Sequence, residues 1–398
     1  MRPGPWYRLT ALAATASVAV VVTTGEWALA HDVAAHVTLA LLAGVAVAAR
    51  LAHRQRPELF ASAAGALVLF SLAGVAGLAG APSWLHLGLG ALALAAAAVA
   101  SAVAFRSGTA AQRSSWRDYV TLTKPRIMVL LLLTAATGMF VGAGGVPAAG
   151  LLAATLGGLA LACGGASALN HVLDRDIDAH MRRTDRRPVA AGRVAPARAL
   201  EFGVALSALS FVVLASFVNV LAALLAVAGN LFYVVVYTRY LKRSTPQNIV
   251  IGGAAGAVPP LVGWAAATGN LTLPALFLFL IVFYWTPPHF WALALLIKRD
   301  YEAAQIPMLP VVKGESETAR SIVRYTLLLV AISLLPVFWH TVGWLYLGAA
   351  LILGSGFIAL ALALRRETTP ARAKRLFTFS LAYLALLFVA MALDPILL

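Results

Sequence analysis

The chain has 398 residues, of which 61% are hydrophobic and 11% are charged, and its mean hydropathy is +0.88. Because soluble domains carry about 25% charged residues, this composition excludes a soluble multidomain enzyme and predicts a polytopic, all-α membrane protein. In a membrane protein, the formal charge of +15 does not indicate a nucleic-acid partner, because the positions of the basic residues indicate how the chain is oriented in the membrane.

Apolar runs long enough to cross the hydrocarbon core, which requires roughly 20 residues, follow one another along the chain. They predict thirteen helices, at 8–25, 33–49, 59–79, 86–105, 127–146, 150–170, 199–216, 219–237, 249–267, 273–297, 321–339, 343–364 and 376–393.

The basic residues agree with a single orientation of these helices. With Met1 in the cytoplasm, all 30 Lys and Arg fall on the cytoplasmic side, and the opposite loops carry none. The positive-inside rule therefore predicts a protein of the cell (inner) membrane. Its N-terminus lies in the cytoplasm and its C-terminus on the outer side. The same parity predicts that the first segment is retained rather than cleaved as a signal peptide.

A polar stretch, Phe105 to Arg126, divides the predicted helices into two groups. We place a domain boundary there, between a four-helix module at 1–110 and a nine-helix domain at 117–398. Within the module, His36 and His86 each open a similar Ala-rich run, which suggests two copies of one hairpin.

The first group of acidic residues follows the sixth predicted helix, in NHVLDRDIDAHMRRTDRRP. If that helix continues, Asn170, Asp174 and Asp178 occupy a stripe of about 80° and Asp176 points elsewhere. Such oxygen ligands suit a Mg²⁺ site that phosphate oxygens complete. The arginines of the segment favour a diphosphate ligand; they include Arg175, Arg182, Arg183, Arg186 and Arg187. The alternative is a solvated loop of mutually paired charges.

The segment YTRYLKRSTPQNIVIGGAAGAVPPLVGW supplies further polar groups at a membrane boundary. Tyr237, Lys242 and Arg243 are candidates to hold phosphate oxygens, and Gln247 and Asn248 add amides. The pair at 259–260 must break its helix, which lipid tolerates only beside protein or a water-filled cavity. A central cavity is therefore predicted.

Two more polar features lie near the tenth predicted helix. His289 follows a second proline pair, 287–288, which we expect to break that helix. It is either a ligand contact or a satisfied core histidine. Asp300 stands where the helix emerges and offers a carboxylate across from the first group, or belongs to a polar re-entry loop. Pro307 and Pro310 predict a stiff, non-helical connection.

Five motifs in this order resemble the haem O synthases, or protoheme IX farnesyltransferases, a branch of the intramembrane aromatic prenyltransferases. They are LTKPRI with Lys124 and Arg126, the aspartate segment, the Tyr237–Trp264 segment, WTPPHFWALAL and DYEAAQIPMLPVV. The resemblance spans roughly residues 117–398 and implies transfer of the farnesyl group of farnesyl diphosphate to a vinyl group of haem b.

The resemblance also implies Mg²⁺ as cofactor and Asn170, Asp174, Asp178 and Asp300 as its catalytic and metal-binding residues. Substrate-binding residues implied with it are Lys124, Arg126, Arg175, Arg182, Arg183, Tyr237, Lys242, Arg243, Gln247, Asn248 and His289. In the wider superfamily a second motif pairs aspartates four apart, but here Ala304 follows Asp300. Glu302 or backbone oxygens would then substitute.

The N-terminal module is weakly similar to half of haem A synthase, in which paired histidines hold haem. Its interpretation stays open between a haem-binding or handover module and a degenerate scaffold. Haem A synthase and oxidase assembly factors are accordingly candidate partners. Rival functions are prenylation of a quinone precursor or another aromatic ring, and membrane transport. Transport would favour charged pairs near the bilayer midplane, and the predicted spans contain none.

Overall fold

The structure is a computed structural model that describes residues 114–339 and 341–397, with short pieces at 13–15, 18, 42, 66–71, 73 and 93. His36, His86 and nearly all of the predicted module at 1–110 lie outside the described residues, so that module and its boundary stay predictions.

The described part is built from helices. In chain order they are α1 Trp116–Thr123, α2 Pro125–Ala143, α3 Ala149–Leu173, α4 Arg175–Asp178, α5 Pro196–Phe217, α6 Val220–Ser244, α7 Asn248–Gly256, α8 Val258–Thr268, α9 Leu273–Leu296, α10 Lys298–Ala303, α11 Leu309–Val312, α12 Gly314–Phe338, α13 Trp344–Arg366 and α14 Pro370–Leu397. With α7 and α8 counted as one, nine stretches in this part are long and apolar enough to cross a membrane. They confirm the nine spans predicted there.

The polar stretch before the first of these spans contains a short helix, which the sequence reading missed. Ser115 caps α1, accepting a hydrogen bond from the Arg117 amide, and the Asp118 side chain accepts from the Ser115 amide. This capping box satisfies amides that a helix start leaves unpaired. Lys124 then takes a left-handed conformation, with φ 50°, and Pro125 opens α2.

Two predicted breaks are wrong, and one is confirmed. α9 continues through Pro287 and Pro288, which are both buried inside the protein, where a membrane helix tolerates proline. Pro307 lies in the predicted non-helical connection, but Pro310 lies in the first turn of α11, a position where its missing N–H costs nothing. The predicted break before Pro259 and Pro260 is present at Ala257, between α7 and α8.

The spans close into a ring. Consecutive spans pack on one another, and α14 returns to α2 and α9. Thr137 of α2 donates a hydrogen bond to the Phe388 carbonyl of α14 at 3.0 Å, and Trp285 of α9 donates to the Ser380 carbonyl at 2.7 Å. A side chain at Gly263 of α8 would collide with the backbone of α2, so this glycine permits the close approach typical of membrane helices.

The middle of α6 is wound more widely than an α-helix. Residues Phe232–Leu241 form a π-helical segment, a feature that is uncommon and concentrates at functional sites. It presents Thr238, which is fully buried, toward α3. The segment therefore carries α6 past the end of α3, where the polar residues gather.

Candidate active site

The aspartate stripe lies where α3 ends. α3 stops at Leu173, so the prediction of one continuous helix through Asp178 is wrong in detail. The short helix α4 follows at once, and the Asp178 amide donates to the Asp174 carbonyl at 2.8 Å, which preserves the helical register. Asn170, Asp174 and Asp178 are buried, whereas the Asp176 side chain is 59% exposed, as predicted.

Asn170 and Asp174 are the centre of a buried hydrogen-bond network. Lys124 Nζ donates to Asn170 Oδ1 at 2.8 Å, and Asn170 Nδ2 donates to Asp174 Oδ2 at 2.8 Å and to Thr238 Oγ1 at 3.2 Å. Lys242 Nζ donates to the same Asp174 oxygen at 2.5 Å. Three separate parts of the chain thus meet on the stripe.

Asp178 has its own cation. Arg187 Nη1 lies 2.8 Å from both carboxylate oxygens, and the loop between them folds back so that Thr184 donates to the Asp178 carbonyl at 3.1 Å. Two carboxylates a turn apart repel each other at low dielectric. Here Lys242 and Arg187 supply the countercharge, and Lys124, when it is protonated, makes the cluster net positive, which suits an anionic ligand.

One oxygen of the stripe has no partner within the described residues. Asp174 Oδ1 is sealed from solvent and forms no hydrogen bond, although an unpaired buried polar atom costs about 1–3 kcal/mol. This oxygen fits a divalent cation, which prefers oxygen ligands. In the described part of the chain no three His, Cys, Asp or Glu side chains come together to hold a metal. A metal here would complete its shell with ligand or water oxygens.

The cluster changes the pKa of Lys124. Burial, together with the nearby charges of Arg187 and Lys242, lowers the pKa of Lys124 to about 7. Tyr301, after α9, lies within electrostatic range of Arg183, Arg187 and Asp174. Burial raises the pKa of its hydroxyl. The segment after α9 therefore borders the cluster through Tyr301.

Asp176 and Arg243 form a second, more exposed pair beside the stripe. Their two hydrogen bonds measure 2.7 and 2.8 Å, and Arg243 also donates to the Leu173 carbonyl at 2.8 Å. This bidentate pairing lowers the pKa of Asp176 to about 2. Arg243, predicted to hold phosphate, thus closes the end of α3 in this structure.

Two cavities open on either side of the Asp176–Arg243 pair. The first, of about 260 Å³, is bordered by Leu173, Arg175, Asp176, Thr238, Arg239 and Arg243. The second, of about 510 Å³, is bordered by Asp176, Ile177, His180, Arg243 and residues 303–306. Thr238 borders the first cavity and bonds to Asn170, so that cavity reaches the buried network.

Other predicted substrate contacts lie around this mouth with differing roles. Tyr237 stacks on Tyr233 at 5.6 Å between ring centres and packs against Gly252, where a side chain would collide with its ring. Asn248 is fully buried and its Oδ1 has no partner among the described residues. The remaining predicted side chains at the mouth are exposed: Arg126, Arg175, Arg182, Arg183 and Gln247.

Two predicted site residues do not join the cluster. His289 lies between the rings of Trp285 and Phe377, at 4.3 and 4.7 Å, and its Nδ1 is 2.7 Å from Ser380 Oγ. That is the surrounding of a satisfied core histidine. The Asp300 side chain is partly exposed and forms no hydrogen bond or ion pair with any described residue. Its role as a metal ligand therefore stays a prediction.

The structure adds residues that spacing alone did not select. Thr238 joins the network because the π-helical segment turns it toward Asn170, and no local pattern signals that turn. His171 and Ser167 are buried on α3, with polar atoms that lack partners within the described chain. Their spacing of four, leading to Asp174, was available as a signal.

Comparisons with known proteins place this arrangement in context. A profile of the UbiA prenyltransferase family matches residues 131–388. The chain is 57% identical over 280 residues to protoheme IX farnesyltransferase of Symbiobacterium thermophilum, and this alignment covers 70% of this chain and 94% of the relative. It is 53% identical over 289 residues to protoheme IX farnesyltransferase 1 of Pseudomonas putida, covering 72% and 97%.

A longer relative and two solved structures are also similar. The protoheme IX farnesyltransferase of a Roseiflexus species is 53% identical over 281 residues, but this chain covers only 52% of it. A digeranylgeranylglyceryl phosphate synthase superposes with a TM-score of 0.60 at 20% identity, covering 71% of this chain and 99% of that one. A UbiA homolog of Archaeoglobus fulgidus bound to GPP and Mg²⁺ gives 0.52 at 16% identity, covering 69% and 99%. At these identities the structures speak for the fold alone.

Proposed function

Because this chain belongs to the UbiA prenyltransferase family, we propose that it transfers the farnesyl group of farnesyl diphosphate to a vinyl group of protohaem IX, giving haem O. The relatives that are more than half identical to this chain over the aligned region, which is nearly their whole length, are named for this reaction. The observation that carries the assignment of the site is the buried stripe Asn170, Asp174 and Asp178 with Lys124, Lys242 and Arg187 on it.

The cluster suits a diphosphate whose allylic C–O bond must ionise. Mg²⁺, when bound, would neutralise charge on the departing diphosphate, with Asp174 and Asp178 as its carboxylate ligands and Asn170 as an oxygen ligand. Lys124, Lys242 and Arg187 would bind the remaining phosphate oxygens, since charge-assisted hydrogen bonds to phosphate are strong in a dry site. The aspartates are paired with these same cations here, so ligand binding would redistribute the pairs.

The apolar spans serve the second half of the reaction. An allylic cation must be kept from water until the vinyl carbon attacks it. The ring of helices supplies such walls, because α9 presents the rings of Trp285 and Phe290 inside the bundle and α14 closes against it. We propose that His289 stays part of this wall and that Asp300, with Glu302, acts only at the mouth.

The decisive test is a direct assay of the purified full chain. Incubation with haem b, Mg²⁺ and prenyl diphosphates of several lengths, followed by mass analysis, is expected to give haem O from farnesyl diphosphate. Asp174→Asn and Asp178→Asn should lose at least about 100-fold in rate, whereas Asp185→Asn, exposed in the same loop, should not. Turnover by both stripe variants would refute the assigned site, and modification of a quinone precursor instead of haem would favour the rival acceptor.

The setting of the reaction follows the orientation predicted from the basic residues. The described spans make this an integral, multi-pass membrane protein. We propose that it lies in the cell membrane, with the stripe facing the cytoplasm, where farnesyl diphosphate is soluble. A handover of haem to haem A synthase or to oxidase assembly factors through the module at 1–110 stays a prediction. Bis-histidine haem spectra that vanish in His36→Ala and His86→Ala variants would support it.

A further inference from the structure

The aspartate stripe continues into the membrane along α3. Ser167, His171 and Asp174 are separated by four and three residues, so about 100° per residue places them within roughly 60° of one another. They lie on the side of α3 away from Gly165, where a side chain would collide with Gly203 and Ser207 of α5. One face of α3 therefore packs on its neighbour helix, and the other carries polar side chains.

Every member of this deeper stripe has a buried polar atom without a partner. Ser167, His171 and Asp174 are 6%, 1% and 0% exposed. Within the described residues, Ser167 Oγ, both ring nitrogens of His171 and Asp174 Oδ1 form no hydrogen bond. Native proteins pair more than about 90% of their buried polar groups. Four atoms on one face of one helix that are unpaired within the described residues indicate a polar ligand that this part of the chain does not provide.

The surroundings of His171 identify the chemistry of that ligand. His171 lies within electrostatic range of Lys124 and Arg187, the two cations that also bond to Asn170 and Asp178. A buried imidazole with unpaired ring nitrogens beside two basic side chains suits an oxyanion ligand. His171 lies three residues before Asp174, about 4.5 Å deeper along the helix axis. This is the direction in which a prenyl chain must leave a diphosphate held at the aspartates.

We propose that His171 is a further catalytic residue, whose ring N–H donates a hydrogen bond to the bridging oxygen of the allylic diphosphate. The inference rests on the proposed function. When the C1–O bond breaks, its electron pair stays on this oxygen and the hydrogen bond strengthens with the growing charge. The proton remains on His171, so the step needs no other reactant.

The test compares His171→Phe, which removes the donor, with His171→Gln, which retains an amide donor, in the purified full chain. Loss of one such donor is expected to lower kcat about 100-fold, with little change in KM, and His171→Gln is expected to recover at least a tenth of the wild-type rate. Ser210→Ala removes another buried hydroxyl, on α5, that has no partner among the described residues, and is expected to leave kcat unchanged.

Thermal unfolding separates this role from a structural one. Without ligand, His171→Phe should melt no lower than wild type, because it removes two unpaired atoms, but its Tm should rise less on adding Mg²⁺ with inorganic diphosphate. A lowered Tm with an unchanged diphosphate effect, or wild-type kcat in His171→Phe, would overturn the inference. Asp174→Asn is measured in parallel. If it is inactive while His171→Phe is fully active, only this inference fails; if Asp174→Asn and Asp178→Asn are both active, the proposed site fails.

Discussion

The two carboxylate oxygens of Asp174 have different surroundings. One oxygen bonds to Lys242 and Asn170, and the other is sealed without a partner in the described chain. A carboxylate in this position is paired with a cation through one oxygen and keeps the other oxygen free for a ligand. The same lysine that stabilises the folded protein therefore competes with any metal for Asp174.

This competition predicts the behaviour of Lys242→Met. Breaking a buried ion pair by removing one partner costs about 3–5 kcal/mol, so the variant should melt at a lower temperature than wild type in EDTA. Added Mg²⁺ should then raise its Tm more than that of wild type, because the ion replaces the missing countercharge. Lys298→Met, which breaks exposed pairs with Glu302 and Glu315, serves as control. Equal Mg²⁺ effects in the two variants would contradict the competition.

At the scale of the element, short polar contacts decide where helices start. α1 begins at a capping box, and Asp118 within it also accepts a hydrogen bond from Arg193 at 2.8 Å. Arg193 follows the aspartate segment in the same loop as Arg187. The contact therefore ties α1, and through it Lys124, to the loop that carries the Asp178 partner.

Asp118→Asn tests this tie, since it keeps an acceptor for the Ser115 amide but removes the charge. Arg193 lowers the pKa of Asp118 in the folded protein. The pair therefore stabilises the fold at any pH above the ordinary carboxyl pKa of about 3.9, and this stabilisation is lost as the pH falls through the lower folded pKa. Because the pair is partly exposed, we expect Asp118→Asn to lower the stability of α1 by about 0.5–1 kcal/mol. The loss would be measured at pH 7 as faster amide exchange in α1 of the variant. The difference from wild type should vanish at a pH below the lowered folded pKa of Asp118. A difference that persists there would contradict the charge argument.

A second cap lies at the opposite end of the bundle. Asp394 of α14 is 1% exposed and accepts hydrogen bonds from the Gly343 and Tyr346 amides, the latter at 3.0 Å. It therefore caps α13 from another helix, at the positive end of the α13 dipole.

Asp394→Ala should destabilise the start of α13 by about 1–2 kcal/mol, seen as lower Tm and faster exchange of the amides at 343–346. Asp394→Asn should cost less, because an amide oxygen still accepts. Glu367→Ala, which breaks an exposed pair with Arg372, is the control. Unchanged exchange in Asp394→Ala would show that the contact does not cap the helix.

At the scale of the whole molecule, the alternation of basic and non-basic loops predicts the topology. In a chain whose single cysteine, Cys163, is replaced by Ala, Asn270→Cys should react with a membrane-impermeant maleimide in intact cells. Asp185→Cys should react only after permeabilisation, since its loop is predicted to be cytoplasmic. Both positions are exposed, so accessibility of the side chain itself is matched. The reverse labelling pattern would invert the orientation, and labelling of both would reject it.

How far the sequence predicts this molecule depends on whether a feature is local. Hydropathy identifies all nine described spans, but α12 begins at Gly314 rather than 321, because its first turns are polar and still helical. The spacing of four selects Asn170, Asp174 and Asp178 because the helical register continues from α3 into α4. Lys242, Arg187 and Thr238 reach the stripe through tertiary packing and a π-helical turn, and these leave no periodic trace.

The contact between α2 and α14 has a consequence for biogenesis. Spans enter the bilayer in order of synthesis, yet the ring that encloses the aspartate stripe is completed only when its last described member meets its first. Until α14 is inserted, the polar interior is open to lipid on one side, where unpaired polar groups are costly. Nascent chains that stall before residue 370 are therefore expected to be substrates for membrane quality-control proteases rather than partly active enzymes.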